Sequence, residues 1–457
     1  MNIVMIGCRT AAVSVMALCG AVRAAEGVEN VSFSRQVMPV LRANCTGCHK
    51  PGKSKGGLDL TTHASVARGG KHGPVFSPHD PAASPLIEET SGEEPSMPPE
   101  GEPLSPEEQA LLRTWIAQGA VDDTASAAGA PPPVPPSPVY RLLPAVTALA
   151  WSPDGTLLAV PGRHEILLHG GPDLQEITRL PGAASRLEGL CFSVDGRLLA
   201  ACGGSPSEFG EIQLWDTAAR RLTRSIRTSG DSVFGVSLSS DSRRVAVGCA
   251  DKLVRVFSTG DGQEIMKCDN HIDWVLGAAF ARDGARLCTV GRDKAAKLID
   301  VETGRLIDDI NRPRDALLCV ARHPSEDLVA TGGAEGKIRL FKMEPRGGRL
   351  AEGDDKENSF VREFESLGSP LHSVAFSADG GMVACGALSG EVRVFEVPTG
   401  NRISTVTTGA GAVFALAFHP HTNQITTGGP DGKIRLFEVK TGQKVHEFPS
   451  VPLGGAR

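Results

Sequence analysis

A short apolar strand ending in a large residue and followed by a turn returns seven times along this chain. Its markers are Trp151, Phe192, Leu238, Phe280, Arg322, Phe376 and Phe418, at successive spacings of 41, 46, 42, 42, 54 and 42 residues. Within each copy the strand leads to a turn such as Pro153-Asp154-Gly155 or Val194-Asp195-Gly196. A second strand ends in small residues (Ala201-Cys202-Gly203-Gly204, Ala330-Thr331-Gly332-Gly333), and a third follows, as in Lys337-Ile338-Arg339-Leu340-Phe341. A Thr-Gly turn at 303–304, 399–400 or 441–442 opens the fourth. One such unit cannot bury its apolar face alone, so the copies must stack. Four strands in a period of about 40–45 residues predict propeller blades, and seven copies predict seven blades. The excess in the 54-residue spacing lies in 344–359, whose charged run reads as a solvated surface loop.

Over 139–450 the chain resembles the WD-repeat family, which implies an all-β seven-bladed propeller. The namesake dipeptide occurs at Trp215-Asp216; the same slot elsewhere holds Ile299-Asp300, Phe341-Lys342, Phe395-Glu396 and Phe437-Glu438. The family's blade-tightening His/Asp pair is implied at His271 and Asp293. Residues 139–143 and 444–448 both read as a fourth strand, but only one can take the outer edge of the closing blade. The resemblance favours 139–143.

The most specific chemical motif lies upstream, at Cys45-Thr46-Gly47-Cys48-His49. Two thiols at this spacing can form thioethers with the two haem vinyl groups, and the adjacent His then meets the iron. The competing readings are a redox Cys pair and half of a zinc site. A zinc ribbon needs a second close pair, yet the next cysteine is Cys191; a thioredoxin-like motif needs a βαβ setting that is absent. Residues 33–44 form an amphipathic helical pattern leading into the motif. Ser105-Pro106-Glu107-Glu108 is a capping box opening a second helix, with Leu111, Leu112, Trp115 and Ile116 on one face and a stop at Gly119. Between the two lies a Gly/Pro-rich loop. Met97, before Pro98-Pro99, is the expected sixth ligand, a thioether being soft enough for haem iron. His63, His72 and His79 are the rivals, each read as a surface-loop histidine.

Together 33–49, Gly56-Gly57-Leu58-Asp59-Leu60, Met97-Pro98-Pro99 and 104–120 resemble the planctomycete-type cytochrome c domain. That resemblance implies a small all-α cytochrome c-like domain at 28–121. It also implies one covalent haem c on Cys45 and Cys48, with His49 as proximal and Met97 as distal ligand. Lys50, Lys53, Lys55, Arg68 and Lys71 crowd the loop after the motif, where they would steer an acidic redox partner.

Residues 1–24 read as an export signal. Arg9 is the only charge before an apolar run from Ala11 to Val22, which is shorter than the roughly 20 residues a spanning helix needs. An N-terminal anchor is the alternative. No later run is long enough to span, so the expected mature protein has no membrane span and is periplasmic or otherwise exported. Residues 122–138, with six prolines from Pro131 to Pro138, form a linker. A net charge of −6 offers no basic face to nucleic acid. Seven further cysteines (Cys191, Cys202, Cys249, Cys268, Cys288, Cys319, Cys385) are scattered over the blades, Cys202 and Cys385 reading as small core residues.

No catalytic thiol–His pair, hydrolase elbow or phosphate loop is present. The favoured function is non-enzymatic electron transfer, with the propeller as docking platform for a protein partner. The alternative is a haem-dependent oxidoreductase whose propeller carries a second cofactor or the substrate site. It needs a ligand such as His271, His323, His372, His419 or His421 facing the central funnel. Of these, His271 is already explained by Asp293, and His323 and His419 recur before Pro324 and Pro420 as a repeat feature.

Overall fold

The computed structural model describes residues 30–46, 48–50, 53–92, 95–99, 102–123, 134–311, 313–344 and 359–454. The signal at 1–24, part of the proline run, the insertion at 345–358 and the side chains of Lys50, Lys53 and Lys55 lie outside what is described. The chain divides into two compact units, 1–128 and 129–457.

In the first unit a π-helical turn (Phe33–Val37) runs into α1 (Met38–Asn44). A two-stranded ladder follows, β1 (His49–Lys50) against β2 (Lys53–Ser54), then α2 (His63–Arg68), α3 (Pro85–Thr90) and α4 (Pro106–Ala117). The expected capping box at α4 is present: Ser105 Oγ accepts the Glu108 N–H at 3.2 Å and Glu108 Oε2 accepts the Ser105 N–H at 2.9 Å. Gly119 ends it at a φ of 98°, which a residue with a Cβ adopts only under strain. The unit departs from the expected pair of helices joined by a loop in two ways. The chain doubles back after His49 into the ladder, and the Gly/Pro-rich stretch contains α2 and α3. At six residues each, these helices are too short to show apolar periodicity; only their starts are marked, by Thr62 and Ser65 capping each other and by Pro85 in the first turn.

Apolar positions of all these segments meet in one core, with Phe33, Leu41, Val66, Leu112, Trp115 and Ile116 almost fully buried. Trp115 is its centre, its ring 5.3 Å from Phe33 and 5.2 Å from Phe76.

The second unit is a ring of seven four-stranded antiparallel sheets, at 150–181, 186–229, 233–268, 275–311, 317–363, 371–407 and 415–449, here called blades 1 to 7. Strands within each blade are consecutive in the chain. The outer edge of blade 7 is therefore Lys444–Pro449, paired with Lys433–Glu438. This corrects the expectation that 139–143 closes the ring. That segment makes only a parallel bridge, Tyr140 to Leu453. Its path is set by Tyr140, whose hydroxyl donates to Glu165 Oε1 at 2.8 Å and accepts the Arg163 N–H at 2.9 Å. Glu165 is fully buried in blade 1, so the hydroxyl and Arg179 at 3.5 Å offset the cost of its burial. A side-chain tie thus replaces strand exchange. Trp151 Nε1 donates to Thr426 Oγ1 at 2.9 Å, joining blade 1 to blade 7.

The His/Asp pair is found as expected, His271 Nδ1 lying 2.9 Å from Asp293 and Nε2 2.8 Å from Thr289 Oγ1. Other blades replace it with cation–carboxylate groups on the third strand. Arg255 is bound by Asp251 and Glu264, Arg339 by Glu335 and Glu363, and Arg435 by Asp431 and Glu447. Hydrogen bonds from Lys444 and Lys433, then Arg435, hold the Glu447 carboxyl down at about 2.

At the opposite end of the blades the turns are built alike. Ser152, Ser193, Ser239 and Ser377 each donate to an aspartate two residues on. In blades 5 and 7 a histidine replaces the serine. Nδ1 of His323 accepts the Glu326 N–H at 3.0 Å, and Nδ1 of His419 accepts the His421 and Thr422 N–H groups. An Nδ1 used as acceptor must be unprotonated.

Burial, then the neighbouring His421, lowers the proton affinity of His419; burial does the same for His169. A depressed folded-state pKa means that stability is complete above the ordinary imidazole value of about 6.5 and is lost as pH falls through it and on through the folded value. The stability gap between the wild type and His169→Gln/His419→Gln is therefore expected to narrow from pH 8 to 5 (roughly the histidine range). Urea unfolding at each pH measures it, and a gap independent of pH would contradict the assignment.

Candidate functional site

Helix α1 delivers the Cys45–His49 turn. Cys45 N–H closes the helix on Leu41 O at 2.8 Å, and the Cys48 and His49 N–H groups both donate to Cys45 O at 3.1 Å. The two thiols and the imidazole therefore leave one tight turn. Asn44 Nδ2 bonds Val40 O and, at 3.2 Å, Glu108 Oε1, tying the end of α1 to the start of α4. Leu60 N–H donates to His49 O at 3.0 Å from the far side.

Both cysteines are free and half-buried, with Cys45 packed against the core. Burial, reinforced by Glu108, pushes the Cys45 thiol up to about 11. That is the reverse of what a redox dithiol needs, since its attacking cysteine has a lowered pKa. His49 Nδ1 is buried and has no hydrogen-bond partner among the described residues. Two thiols and an uncommitted imidazole on one turn fit the donor set of a covalently attached haem. Among the described residues no group of three or more His, Cys, Asp or Glu is gathered to hold a bare metal ion.

Met97 lies on a different segment. Its N–H donates to Glu89 O at 2.9 Å, fixing it beside α3, and its side chain is 36% exposed. No described contact joins it to the Cys45–His49 turn. Of its rivals, His63 is not a surface-loop residue. It opens α2, its Nε2 lies 2.8 Å from Ala120 O and its Nδ1 3.5 Å from Asp122, and its ring stands edge-on to Phe33 and Trp115. His79 Nδ1 is taken by Ala117 O at 3.2 Å. His72 is exposed.

The propeller offers a central channel of about 480 Å³. One side chain in or just before the innermost strand of each blade rings its first end: Thr147, Glu188, Phe234, Leu276, Leu318, His372 and Phe414. His372 thus faces the funnel, beside Phe414 at 5.5 Å, and burial lowers its proton affinity. Burial raises the Glu188 pKa, opposed by Arg186 at 2.7 Å. The other histidines considered for the channel are committed elsewhere: His271 within its blade, His323 and His419 in turns, and His421 at a surface pocket beside Asp154. Glu188 was not singled out from the sequence. Aligning the seven copies would have found it, as the one carboxylate at a position otherwise filled by apolar residues, threonine or histidine.

The fold and site define a seven-bladed propeller joined to a small unit of short helices bearing a Cys-x-x-Cys-His turn. The chain belongs to the propeller family described as Nucleolar protein 10-like, N-terminal domain, whose profile matches residues 175–451. Residues 45–101 match the profile described as Planctomycete cytochrome C. Among curated proteins the chain is similar to WD repeat-containing protein 55 of Pongo abelii, 28% identical over 234 residues, or 43% of this chain and 61% of that protein. The Bos taurus protein of the same name is 30% identical over 186 residues, covering 33% and 49%. Telomerase protein component 1 of Rattus norvegicus is 25% identical over 46% of this chain and 7% of its own length. The chain thus spans about three fifths or less of these relatives.

Proposed function

We propose that the protein is an exported c-type cytochrome that transfers electrons. In this reading a cytochrome c-like domain carries one haem c on Cys45 and Cys48, with His49 as proximal and Met97 as distal ligand. The propeller serves as a docking platform for a protein partner. The observation that carries the proposal is the Cys45–His49 turn itself. Burial pushes its Cys45 thiol up, its His49 Nδ1 has no hydrogen-bond partner among the described residues, and its segment matches a cytochrome family. A haem bound there supplies a one-electron iron couple that no side chain of the unit provides. The residues supply attachment and rigidity. Core packing of Cys45 and the tie from Asn44 to Glu108 hold the turn, while the Leu60 N–H and the β1–β2 ladder fix His49. Arg68 and Lys71 give the following loop a positive charge suited to an acidic redox partner.

The pyridine haemochrome spectrum and iron content test this reading: one c-type haem per chain supports it, and a chain purified without haem from a host that matures c-type cytochromes contradicts it. Met97→Ala is expected to abolish the methionine-to-iron absorption band and lower the reduction potential. An unchanged band and potential would remove Met97 as ligand.

His372 and Glu188 in the channel support one second reading, an oxidoreductase with its substrate site or second cofactor in the propeller. A second chromophore in the same spectrum would favour it.

A further inference from the structure

Six of the seven residues that end the innermost strands are apolar: Trp151, Phe192, Leu238, Phe280, Phe376 and Phe418. In blade 5 the position is Arg322. The innermost strands start at the Thr147–Phe414 ring, so their ends lie at the other end of the channel. There the structure has a second cavity of about 220 Å³ spanning blades 2 to 5, lined by Cys191, Ser237, Val320 and Arg322 among others.

Arg322 is half-buried and reaches past blade 4, its NH1 donating to Ser240 Oγ of blade 3 at 2.7 Å. A guanidinium has five donor hydrogens, and this neutral hydroxyl takes one. Among the described residues no carboxylate forms an ion pair with Arg322. Arg255, Arg286, Arg339, Arg393 and Arg435 of the blades each hold one or two, whereas the half-buried Arg224, Arg244 and Arg362 donate to backbone carbonyls instead.

The charged and titratable neighbours supply no ion-pair partner, although Asp327 attracts the Arg322 charge from a distance. Asp327 is committed to Arg286 at 3.0 Å and to the Arg282 N–H at 2.9 Å. Arg282 adds a second positive charge, and burial keeps the Cys191 thiol neutral. Ser237 Oγ accepts the Phe280 N–H at 3.2 Å, and its own hydrogen has no partner among the described residues. The same burial disfavours the charged form of Arg322 itself.

A half-buried cation with unused donors, beside a free hydroxyl in a cavity large enough for a few waters, is an incomplete ion pair. We infer that this end of the channel binds a small free oxyanion, a phosphate or short carboxylate, with Arg322 as its cation and Ser237 as a hydroxyl donor. The planar fork of Arg322 matches such an oxyanion. This site does not depend on haem in the other unit.

The test is thermal unfolding of the full-length protein in rising inorganic phosphate against chloride of matched ionic strength, repeated with malonate. The wild type is expected to show a saturable rise in propeller Tm with phosphate, malonate or both. Phosphate alone points to a phosphate ligand and malonate alone to a carboxylate ligand. Arg322→Phe, which restores the residue of blades 2, 4, 6 and 7, is expected to abolish the rise while matching or exceeding the wild-type Tm in chloride. Calorimetric titration of Arg322→Gln, a second variant with no charge, is expected to show at least roughly tenfold weaker anion binding. No saturable effect beyond chloride in the wild type, or an undiminished effect in either variant, would overturn the assignment.

Discussion

Replacing Cys45 and Cys48 together by alanine is expected to give a full-length protein with no covalently bound haem, even when produced alongside a c-type maturation system. In the proposed function attachment rests on two thioether bonds, and no other described cysteine lies in the first unit. Single replacements retain one bond, so their haem content should fall without vanishing. Cys45→Ala is expected to be the more damaging, because Cys45 also packs in the core and its truncation leaves a gap there. His49→Ala should keep the haem on the polypeptide but lose the axial imidazole, changing the absorption spectrum and the reduction potential. In-gel haem staining after denaturation, with spectra of the native proteins, separates these outcomes. Full staining of the double variant would contradict the attachment.

The second large effect concerns the scaffold. Trp115 is 1% exposed and contacts Phe33, Phe76 and His63 at ring distances of 5.2 to 5.9 Å. Its Nε1 also donates to Val121 O at 3.3 Å. Trp115→Ala is expected to cost the first unit about 3–5 kcal/mol, the usual range for deleting a buried aromatic. A small domain is commonly stable by only about 5–15 kcal/mol, so the loss consumes a large fraction of the total. Urea unfolding, followed by far-ultraviolet circular dichroism, measures it. The propeller, with its own core clusters, should unfold at an unchanged midpoint. A loss below about 1 kcal/mol would mean that the core relaxes around the gap.

How much was readable in advance follows the range of the interactions. Blade number was legible because each repeat carries its own strand–turn markers, and every marker is the last residue of an innermost strand. The ring closure was not. Residues 139–143 and 444–448 look alike as strands, and the choice depends on partners far apart in the chain, such as Trp151 with Thr426 and Tyr140 with Glu165. Helices α2 and α3 were hidden because six residues hold too little of a 3.6-residue period to be seen.

Sites divide in the same way. Cys45, Cys48 and His49 stand out because their chemistry is confined to five adjacent residues. His63 looked like a loop histidine because its partners, Phe33, Trp115 and Ala120, are contributed by other segments. The cation–carboxylate groups were legible only across copies. Asp251 to Arg255, Glu335 to Arg339 and Asp431 to Arg435 share one spacing that no single blade reveals.

The central claim is that this chain carries haem through Cys45 and Cys48. Peptide-level mass spectrometry of the protein recovered from an exporting host tests it most directly. One haem per chain is expected, found on the peptide containing Cys45-Thr46-Gly47-Cys48-His49. Recovery of that peptide with both cysteines unmodified, or joined to each other, would contradict it.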